Sequence, residues 1–345
     1  MNKTALITGF TGQDGTFLTK LLLEKGYRVI GLVRRISTEP PRRIRGKFDF
    51  NEYLPTGQLV LEQGDLLSPA SLNKVITKYQ PQEIYNLAAQ SHVGMSFNQP
   101  EFTIDTVLDG TINLINALEA CHKGEWRMYQ ASTSEMYGDF LRGPLDEPLD
   151  EKNPLNPNSP YAIAKTAAHQ YCKMKRAQGR FISCGILFNH ESEIRGGDFV
   201  TQKIARGVWR WQREAVPIHL GNLNARRDWG YAGDYVKAMH LMLQHDQPDD
   251  FVIATSETHS IREFVELAFK QIGVNVHWTG EGIEEQGHAD SYTPVVVVDK
   301  AFYRPNDVNY LIGDYSKAKE LLGWQPEHKF DLVVKIMVDA AKEAK

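Results

Sequence analysis

The feature that most constrains the fold is a glycine-rich turn between a short apolar run and a leucine-rich run. The apolar run covers residues 4–8, and the leucine-rich run covers residues 16–25. Glycine permits a tight turn, lets the backbone approach a pyrophosphate, and clears the contact between helix and strand. A helix that begins near Gln13 would point its N-terminal amides at those phosphates. The glycines are spaced Gly-x-x-Gly-x-x-Gly and are Gly9, Gly12 and Gly15.

The same alternation of short apolar runs with longer amphipathic runs continues as far as residue 188. Strands that alternate with helices in this way predict a parallel sheet with helices on both faces. We therefore expect an α/β fold: a doubly wound, Rossmann-type sheet domain and a smaller C-terminal α/β domain that binds substrate. The sheet domain is predicted over 1–188 with 226–256 returning to it, and the smaller domain over 189–225 and 257–345. The predicted strands are 4–8, 27–33, 59–62, 83–88, 127–131 and 181–188, and the predicted helices are 16–25, 68–79, 103–120 and 161–178.

Composition and charge exclude several classes of protein. The 345 residues carry a net charge of -4 with a pI near 6.3, which argues against a nucleic-acid partner. No apolar run approaches the roughly 20 residues that span a bilayer, so no membrane partner is expected. The first residues do not resemble a signal peptide, so we predict a cytoplasmic protein. Cys121, Cys172 and Cys184 show neither metal-ligand spacing nor an even count, so we expect no metal and no disulfide framework.

The end of the second strand predicts which dinucleotide binds. Arg34 and Arg35 stand where an acidic residue would hold a ribose 2′-hydroxyl, and a guanidinium matches a 2′-phosphate. This favours NADP; two solvated arginines in a basic loop are the alternative. Asp65, after the third strand, is expected to reach the adenine amine. The other predicted cofactor contacts are Thr11, Gln13, Asp14, Leu66, Leu87, Ala88, Ala89, Gln90 and Ser91.

Two residue pairs predict proton-transfer chemistry. Tyr161 and Lys165 lie one helical turn apart, where a lysine ammonium can lower the pKa of the tyrosine and also reach a cofactor ribose. Thr133 and Glu135 follow the fifth strand, whose end faces the ligand crevice in a doubly wound sheet. Thr133 can bridge a substrate oxygen and the tyrosine, and Glu135 adds a carboxyl for general acid–base catalysis. A salt bridge at the strand end is the alternative for Glu135.

Five segments of the chain are distinctive when taken together. They are Thr-Gly-Phe-Thr-Gly-Gln-Asp-Gly at 8–15, Gln-Ala-Ser-Thr-Ser-Glu-Met-Tyr-Gly at 130–138, Ser-Pro-Tyr-Ala-Ile-Ala-Lys at 159–165, Phe-Val-Thr-Gln-Lys at 199–203 and Arg-Arg-Asp-Trp-Gly at 226–230. Through these segments, and through most of its length, the chain resembles the GDP-mannose 4,6-dehydratase family of the extended short-chain dehydrogenases/reductases.

The resemblance implies a lyase that uses bound NADP and regenerates it within each turnover. Tyr161, helped by Lys165, would remove the C4 hydroxyl proton while hydride passes to NADP⁺. Glu135 would remove the C5 proton and protonate the leaving C6 hydroxyl before hydride returns to C6. The implied product is a 4-keto-6-deoxy sugar nucleotide, released together with water.

The resemblance also implies a GDP-sugar substrate and the residues around it. Arginine presents the planar fork that a diphosphate favours. A surface ion-pair cluster is the alternative for Arg227, and a buried core histidine is the alternative for His190. In the family the loop after Arg35 crosses to a neighbouring subunit, which implies a homo-oligomer, either dimer or tetramer. The implied substrate contacts are Ser91, Thr133, Asn189, Lys203, Arg227 and Arg304, with His190 and Arg195 near the cofactor.

The chain departs from the family's usual pattern near the expected substrate mouth. Residues 193–196 read Glu-Ile-Arg-Gly where Pro-Arg-Arg-Gly is usual, which introduces an acid. The sugar therefore stays open between GDP-mannose and GDP-manno-heptose. An NADPH-dependent 4-keto sugar nucleotide reductase is a further alternative, against which the retained Glu135 argues. A non-catalytic NADP-binding protein is the last alternative, against which Tyr161 and Lys165 argue.

Overall fold

The computed structural model describes residues 3–34, 50, 52–138, 147–302 and 310–343. Two predicted site residues, Arg35 and Arg304, lie outside these ranges. Among the described residues, no helix has the length and apolar character needed to cross a membrane.

A sheet of seven parallel strands forms the centre of the molecule, in the order β11-β6-β5-β4-β1-β2-β3. The order changes direction between β1 and β4, which is the place where ligands bind in doubly wound sheets. The predicted Rossmann-type fold is therefore confirmed. The strands are β1 Thr4–Thr8, β2 Arg28–Val33, β3 Leu59–Gln63, β4 Glu83–Asn86, β5 Arg127–Thr133, β6 Phe181–Leu187, β7 Asn189–Glu191, β8 Ile218–Leu220, β9 Arg226–Arg227, β10 Trp229–Tyr231, β11 Asp250–Ile253, β12 His259–Ser260, β13 His277–Thr279, β14 Gln286–His288 and β15 Pro294–Val298.

Helices cover both faces of this sheet. Side chains alternate across a strand, so Ile7 packs on one face while Leu6 packs on the other. Helices α1 and α8 bury their apolar stripes on the Ile7 face, and α2, α5 and α6 bury theirs on the Leu6 face. The helices are α1 Gln13–Glu24, α2 Pro69–Tyr79, α3 Val93–Asn98, α4 Pro100–Ile104, α5 Gly110–Cys121, α6 Pro160–Ala177, α7 Val200–Glu214, α8 Ala232–Gln244, α9 Ile261–Lys270, α10 Ser316–Leu322 and α11 Phe330–Glu343.

The helix predicted over 103–120 differs from the structure. It begins at Pro100, which suits the first turn of a helix, and contains a π-helical turn over Asp105–Asp109 before α5 begins at Gly110. A Cβ on Gly110 would lie 2.9 Å from Cβ of Leu66, so glycine lets α5 approach the loop after β3. The hydrophobic pattern has an average period of 3.6 residues and does not reveal the extra residue of a π turn.

A second core lies beneath a smaller sheet with the order β13-β14-β15-β8. Helices α7, α9 and α11 pack around it through side chains such as Ile204, Phe269 and Val334. The segment 226–256 is divided between the two cores: α8 and β11 lie with the large sheet, while β9 pairs with β12 and β10 pairs with β7. Ala318 and Trp324 also pack with the large sheet, although the sequence assigned 257–345 to the smaller domain. The domain boundaries themselves stay a prediction.

Candidate active site

The glycine turn connects β1 to α1 at the point where the strand order changes. Gly9 has φ +71°, and a Cβ there would lie 2.8 Å from the backbone nitrogen of Ala88. A Cβ on Gly15 would lie 2.4 Å from the carbonyl oxygen of Gly9, so both positions require glycine. Gly12 precedes the helix and has no side chain to cap it. The first amides of α1 therefore remain available to a phosphate, and the turn fits a dinucleotide.

The neighbouring strand ends hold other predicted cofactor residues. Arg34 is exposed directly after β2, and Asp65 follows β3, where its Oδ1 accepts a hydrogen bond from the backbone of Leu67 at 2.9 Å. The backbone amides of Leu87 and Ala88 donate to Thr8 Oγ1 at 3.1 and 3.2 Å. Strands β2 and β4 flank β1, and β3 lies next to β2, so these strand ends share one edge of the sheet with the glycine turn, where ligands bind in doubly wound sheets.

Two of the predicted cofactor residues use their side chains for the fold. The side chain of Leu66 is buried in the core between β3 and α5. Gln90 holds its own loop, since its Nε2 donates to Thr103 Oγ1 at 3.1 Å and its Oε1 accepts from the His92 amide at 2.6 Å. Ser91, in contrast, is exposed beyond the end of β4. Only the backbone of Leu66 is left for a ligand contact, because its side chain is enclosed by apolar neighbours.

The four predicted catalytic residues meet where β5 ends and α6 begins. Thr133 is the last residue of β5, and its Oγ1 accepts from the Glu135 amide at 3.3 Å. Its side chain lies close enough to Tyr161 to affect the pKa of the phenol. Ser159 caps α6 by accepting from the backbone of the third helical residue at 3.1 Å. This cap fixes the first turn of the helix, which carries Tyr161, while Lys165 follows one turn later. Tyr161 is 8% exposed and Lys165 is 4% exposed.

The electrostatics of this group differ from the sequence-based expectation. The pKa of Tyr161 is raised, because burial and the charge of Glu135 outweigh the hydrogen bond from Thr133. Lys165 does not lower it, because its Nζ donates to the carbonyl of Ala131 at 2.7 Å and lies 5.9 Å from the tyrosine ring centroid. Burial lowers the pKa of Lys165 to about 8, since a desolvated ammonium is disfavoured.

An ion pair joins the first turn of α1 to β7. His190 Nε2 lies 3.0 Å from Asp14 Oδ2, and His190 Nδ1 lies 2.7 Å from the carbonyl oxygen of Phe188. Both partners can only accept, so the imidazole donates from both nitrogens and is cationic. Burial acts against this charge, yet Asp14 raises the pKa of His190, and His190 in turn keeps the pKa of Asp14 below its usual value. Gln13 adds a second link between α1 and β7, because its Nε2 donates a hydrogen bond to the His190 carbonyl at 3.0 Å.

The Asp14–His190 pair predicts a pH-dependent contribution to stability of about 1.5–3 kcal/mol, the value of a hydrogen bond to a charged group. The pKa of His190 is higher in the folded protein than its ordinary value of 6.5. The histidine therefore contributes its full stabilisation below pH 6.5, and this contribution is lost as pH rises through the folded pKa. The pKa of Asp14 is lower in the folded protein than its ordinary value of 3.8. The aspartate therefore contributes its full stabilisation above pH 3.8, and this contribution is lost as pH falls through the folded pKa. His190→Gln should therefore reduce the free energy of unfolding most between those two values and least in alkali.

Urea unfolding across this pH range measures the difference between wild type and His190→Gln. The control is His277→Gln, which changes an exposed histidine on the smaller sheet. A destabilisation by His190→Gln that is equal at acidic and alkaline pH would contradict the charged pair.

The predicted substrate residues lie on β7, α7 and β9. Among the described residues, Asn189 Oδ1 is buried and accepts no hydrogen bond, which leaves it available to a ligand hydroxyl. Lys203 Nζ lies 3.2 Å from the ring centroid of Phe302, a contact that was not predicted from the sequence. Arg195 Nε lies 3.1 Å from Glu191 Oε2, and the Arg195 guanidinium lies over the ring of Phe199.

Asp228, which follows Arg227 in the chain, is a buried acid that was not among the residues predicted from the sequence. Its carboxylate accepts from the amide and hydroxyl of Thr255, and from the amides of Ser256 and Gly313, at 2.7–3.2 Å. Burial raises the pKa of Asp228 to about 6, against the lowering effect of these four donors, so the group is ionised at neutral pH. The only sequence signal for a role of Asp228 was its position inside the Arg-Asp-Trp-Gly segment.

Comparison with known proteins places this site in a family. A family model described as GDP-mannose 4,6 dehydratase matches residues 6–337. The GDP-mannose 4,6 dehydratase of Cricetulus griseus is 46% identical over 345 residues, which cover 99% of this chain and 92% of that protein. The chain belongs to the GDP-mannose 4,6-dehydratase family. The resemblance read from the sequence segments is thereby confirmed.

Solved structures agree with this membership at the level of fold. The UDP-glucuronic acid 4-epimerase of Bacillus cereus, solved with UDP-glucuronic acid and NAD, has a TM-score of 0.81 at 20% identity and covers 99% of this chain and 100% of its own. RMD from Pseudomonas aeruginosa, solved with NADPH, has a TM-score of 0.74 at 21% identity and covers 99% of each chain.

The acid that departs from the usual sequence of GDP-mannose 4,6-dehydratases contacts an aromatic residue. Glu193 Oε2 accepts from the hydroxyl of Tyr231 at 3.2 Å, and the adjoining Ile194 is buried in the core of the large sheet. Both members of the altered pair are thus held by neighbouring elements of the fold.

Proposed function

We propose that the protein is an NADP-dependent hydro-lyase that converts GDP-mannose to GDP-4-keto-6-deoxy-mannose and water. The observation that carries this proposal is the arrangement of Thr133, Glu135, Tyr161 and Lys165 at the joint of β5 and α6. A hydroxyl, a phenol and a carboxyl then adjoin the crevice formed by the glycine turn. Membership of the family supports the same reaction.

Each residue of the group has a distinct part in the proposed reaction. The nicotinamide of the cofactor supplies hydride acceptance at C4 and hydride return at C6. Thr133 orients the C4 oxygen beside Tyr161, which takes the hydroxyl proton. Lys165, with a pKa lowered to about 8 by burial, is poised to share a proton near neutral pH. Glu135 would take the C5 proton and give it to the C6 hydroxyl, which leaves as water, and the proton held by Tyr161 would then pass to C5, which balances the reaction.

The chain's own residues suit NADP as the cofactor. The uncapped first turn of α1 and the close approaches at Gly9 and Gly15 would hold the pyrophosphate. Arg34 is exposed at the end of β2, in the place where a 2′-phosphate would lie. These observations support the choice of NADP over NAD; Asp65 and the backbone after β4 would complete the contacts.

Removing a guanidinium at the end of β2 should weaken NADP binding more than NAD binding. Arg34→Ala and Arg35→Ala are each expected to raise the Kd for NADP about 10- to 100-fold, because charge-assisted hydrogen bonds contribute about 1.5–3 kcal/mol. The Kd for NAD should change little. Titration calorimetry measures both constants, and Arg28→Ala at the opposite end of the same strand is the control. Equal losses for the two dinucleotides would remove the 2′-phosphate assignment.

The sugar is tested by incubating the purified protein with GDP-mannose and, separately, with GDP-manno-heptose. Mass spectrometry should show the loss of one water from GDP-mannose at equal or greater efficiency. Loss from the heptose compound alone would keep the chemistry and change the substrate. NADPH consumption without water loss would identify a reductase. The absence of any reaction while NADP is bound would identify a non-catalytic NADP-binding protein. The cytoplasmic location and the homo-oligomer stay predictions.

A further inference from the structure

A buried polar cluster lies behind the catalytic pair and joins α6 to β5, β6 and β11. Ser132 is 4% exposed and His169 is 2% exposed, within a layer that contains Met128 and Ile182. Burying polar groups costs free energy unless they are hydrogen-bonded, so a cluster in an apolar layer indicates a specific role. Its members are Ser132, His169, Cys172, Arg176, Cys184 and Asp250.

The cluster is a hydrogen-bonded network and not a metal centre. His169, Cys184 and Asp250 bring ligand atoms within 4.8 Å of one another. Arg176 Nη2, however, donates to Asp250 Oδ1 at 2.5 Å and lies 3.6 Å from the sulfur of Cys184. Lys173 Nζ lies 3.4 Å from the other oxygen of Asp250. Two cations already neutralise the carboxylate, so a metal ion would have to displace them.

His169 has polar neighbours on more than one side of its ring. Its Nε2 lies 3.6 Å from Asp250 Oδ2, which is an ion-pair contact, and the thiol of Cys184 also lies near the ring. Its Nδ1 lies 2.9 Å from Ser132 Oγ, which can donate to it. The imidazole thus connects a serine of β5 to an aspartate of β11 while its own backbone belongs to α6.

Three neighbouring residues at the end of β5 contact three successive turns of α6. Thr133 lies beside Tyr161, and the carbonyl of Ala131 accepts from Lys165 at 2.7 Å. Ser132, between them, contacts His169, which lies one further turn along the same helix face. The first two contacts involve the proposed catalytic residues. The third, between Ser132 and His169, fixes the same register of α6 along β5 from inside the core. Arg176 extends the stripe, because its Nε donates to the carbonyl of Ile182 at 2.7 Å.

We propose that His169 is a positioning residue, which through Ser132 fixes α6 against the end of β5 and so places Tyr161 and Lys165 beside Thr133. This inference rests on the proposed function. A hydroxyl–imidazole hydrogen bond is directional, whereas apolar contacts in the same layer would tolerate sliding of the helix along the strand. Proton transfer needs donor and acceptor within hydrogen-bond distance, and a displacement of about 1 Å can cost about 100-fold in rate.

Ser132→Ala, His169→Gln and the double variant test the proposal against Ser183→Ala. The control deletes a fully buried hydroxyl from the neighbouring strand β6, where it accepts only from the Asp249 amide at 3.4 Å among the described residues. With GDP-mannose as substrate, Ser132→Ala and His169→Gln should each lower kcat for water loss about 10- to 100-fold. KM should stay within about threefold, since the diphosphate contacts lie elsewhere. The double variant should be no slower than the slower single variant, because both break one link.

Ring-nitrogen NMR of His169 gives a readout that does not depend on activity. Ser132→Ala should shift the Nδ1 resonance, while Ser183→Ala should leave the resonances of both ring nitrogens unchanged. If His169→Gln fails to fold, Ser132→Ala decides, because it removes only a hydroxyl.

The outcomes separate this inference from the proposed function. Wild-type protein that releases water from neither GDP-mannose nor GDP-manno-heptose would overturn both. An active wild type whose kcat is affected by Ser132→Ala no more than by Ser183→Ala would overturn this inference alone. Rate losses that multiply in the double variant would also overturn it, because they would show two independent effects.

Discussion

Replacing Glu135 with glutamine should stop the release of water while part of the C4 oxidation survives. Glutamine keeps the size and the hydrogen-bonding capacity of the side chain but cannot take a proton from C5. General acid–base groups contribute about 10²- to 10⁴-fold, so water loss should fall by at least about 100-fold. Mass spectrometry follows the water, and absorbance of the reduced nicotinamide follows oxidation at C4.

Glu101→Gln, the same exchange at an exposed position of α4, is the control for Glu135→Gln. Full water release by the Glu135 variant would exclude this carboxylate from the mechanism. A strand-end salt bridge would then be the better interpretation of Glu135.

Replacing Tyr161 with phenylalanine should abolish both oxidation at C4 and water loss. The variant removes only the phenolic hydroxyl beside Thr133, so the proton of the C4 hydroxyl has no acceptor. The rate should fall about 10²- to 10⁴-fold, while the Kd for GDP-mannose and for NADP should change little, because the phenol acts on the reacting atoms. Tyr171→Phe, on the same helix and partly exposed, is the control.

The two catalytic variants are distinguished by the oxidised state that they reach. Glu135→Gln should accumulate reduced nicotinamide upon mixing with GDP-mannose, and Tyr161→Phe should not. Identical traces for the two variants would mean that the separate proton-transfer roles are wrong.

Local patterns predicted most of the sheet domain. The strands over 4–8 and 59–62 appear within one residue of their predicted bounds, as β1 Thr4–Thr8 and β3 Leu59–Gln63. Strand β1 is buried along most of its length and its interior is apolar, whereas β3 lies at the edge of the sheet, is only partly buried, and was recognised from its three apolar residues. The Tyr161–Lys165 spacing was equally readable, because positions four apart share a helix face whatever surrounds them.

Patterns with a fixed local period did not predict the partners of the side chains. The direction of Lys165 toward the Ala131 carbonyl depends on how α6 lies against β5. Burial and the charge of Glu135, which also depend on the packing, raise the Tyr161 pKa that the lysine was expected to lower. The role of Leu66 as a core residue depends on the close approach of Gly110. Neither relation has a spacing that can be read along the chain.

The sequence by itself determined the phosphate-binding turn, the alternation that builds a parallel sheet, and the residue types of the proposed catalytic group. These depend on backbone geometry and on periods of two and 3.6 residues, which are local properties. Only the tertiary structure paired Asp14 with His190, 176 positions away, and joined Ser132 to His169 and Asp250. Such contacts arise because sheet order brings distant strand ends together, and burial then favours pairing of polar groups with whichever element lies next to them.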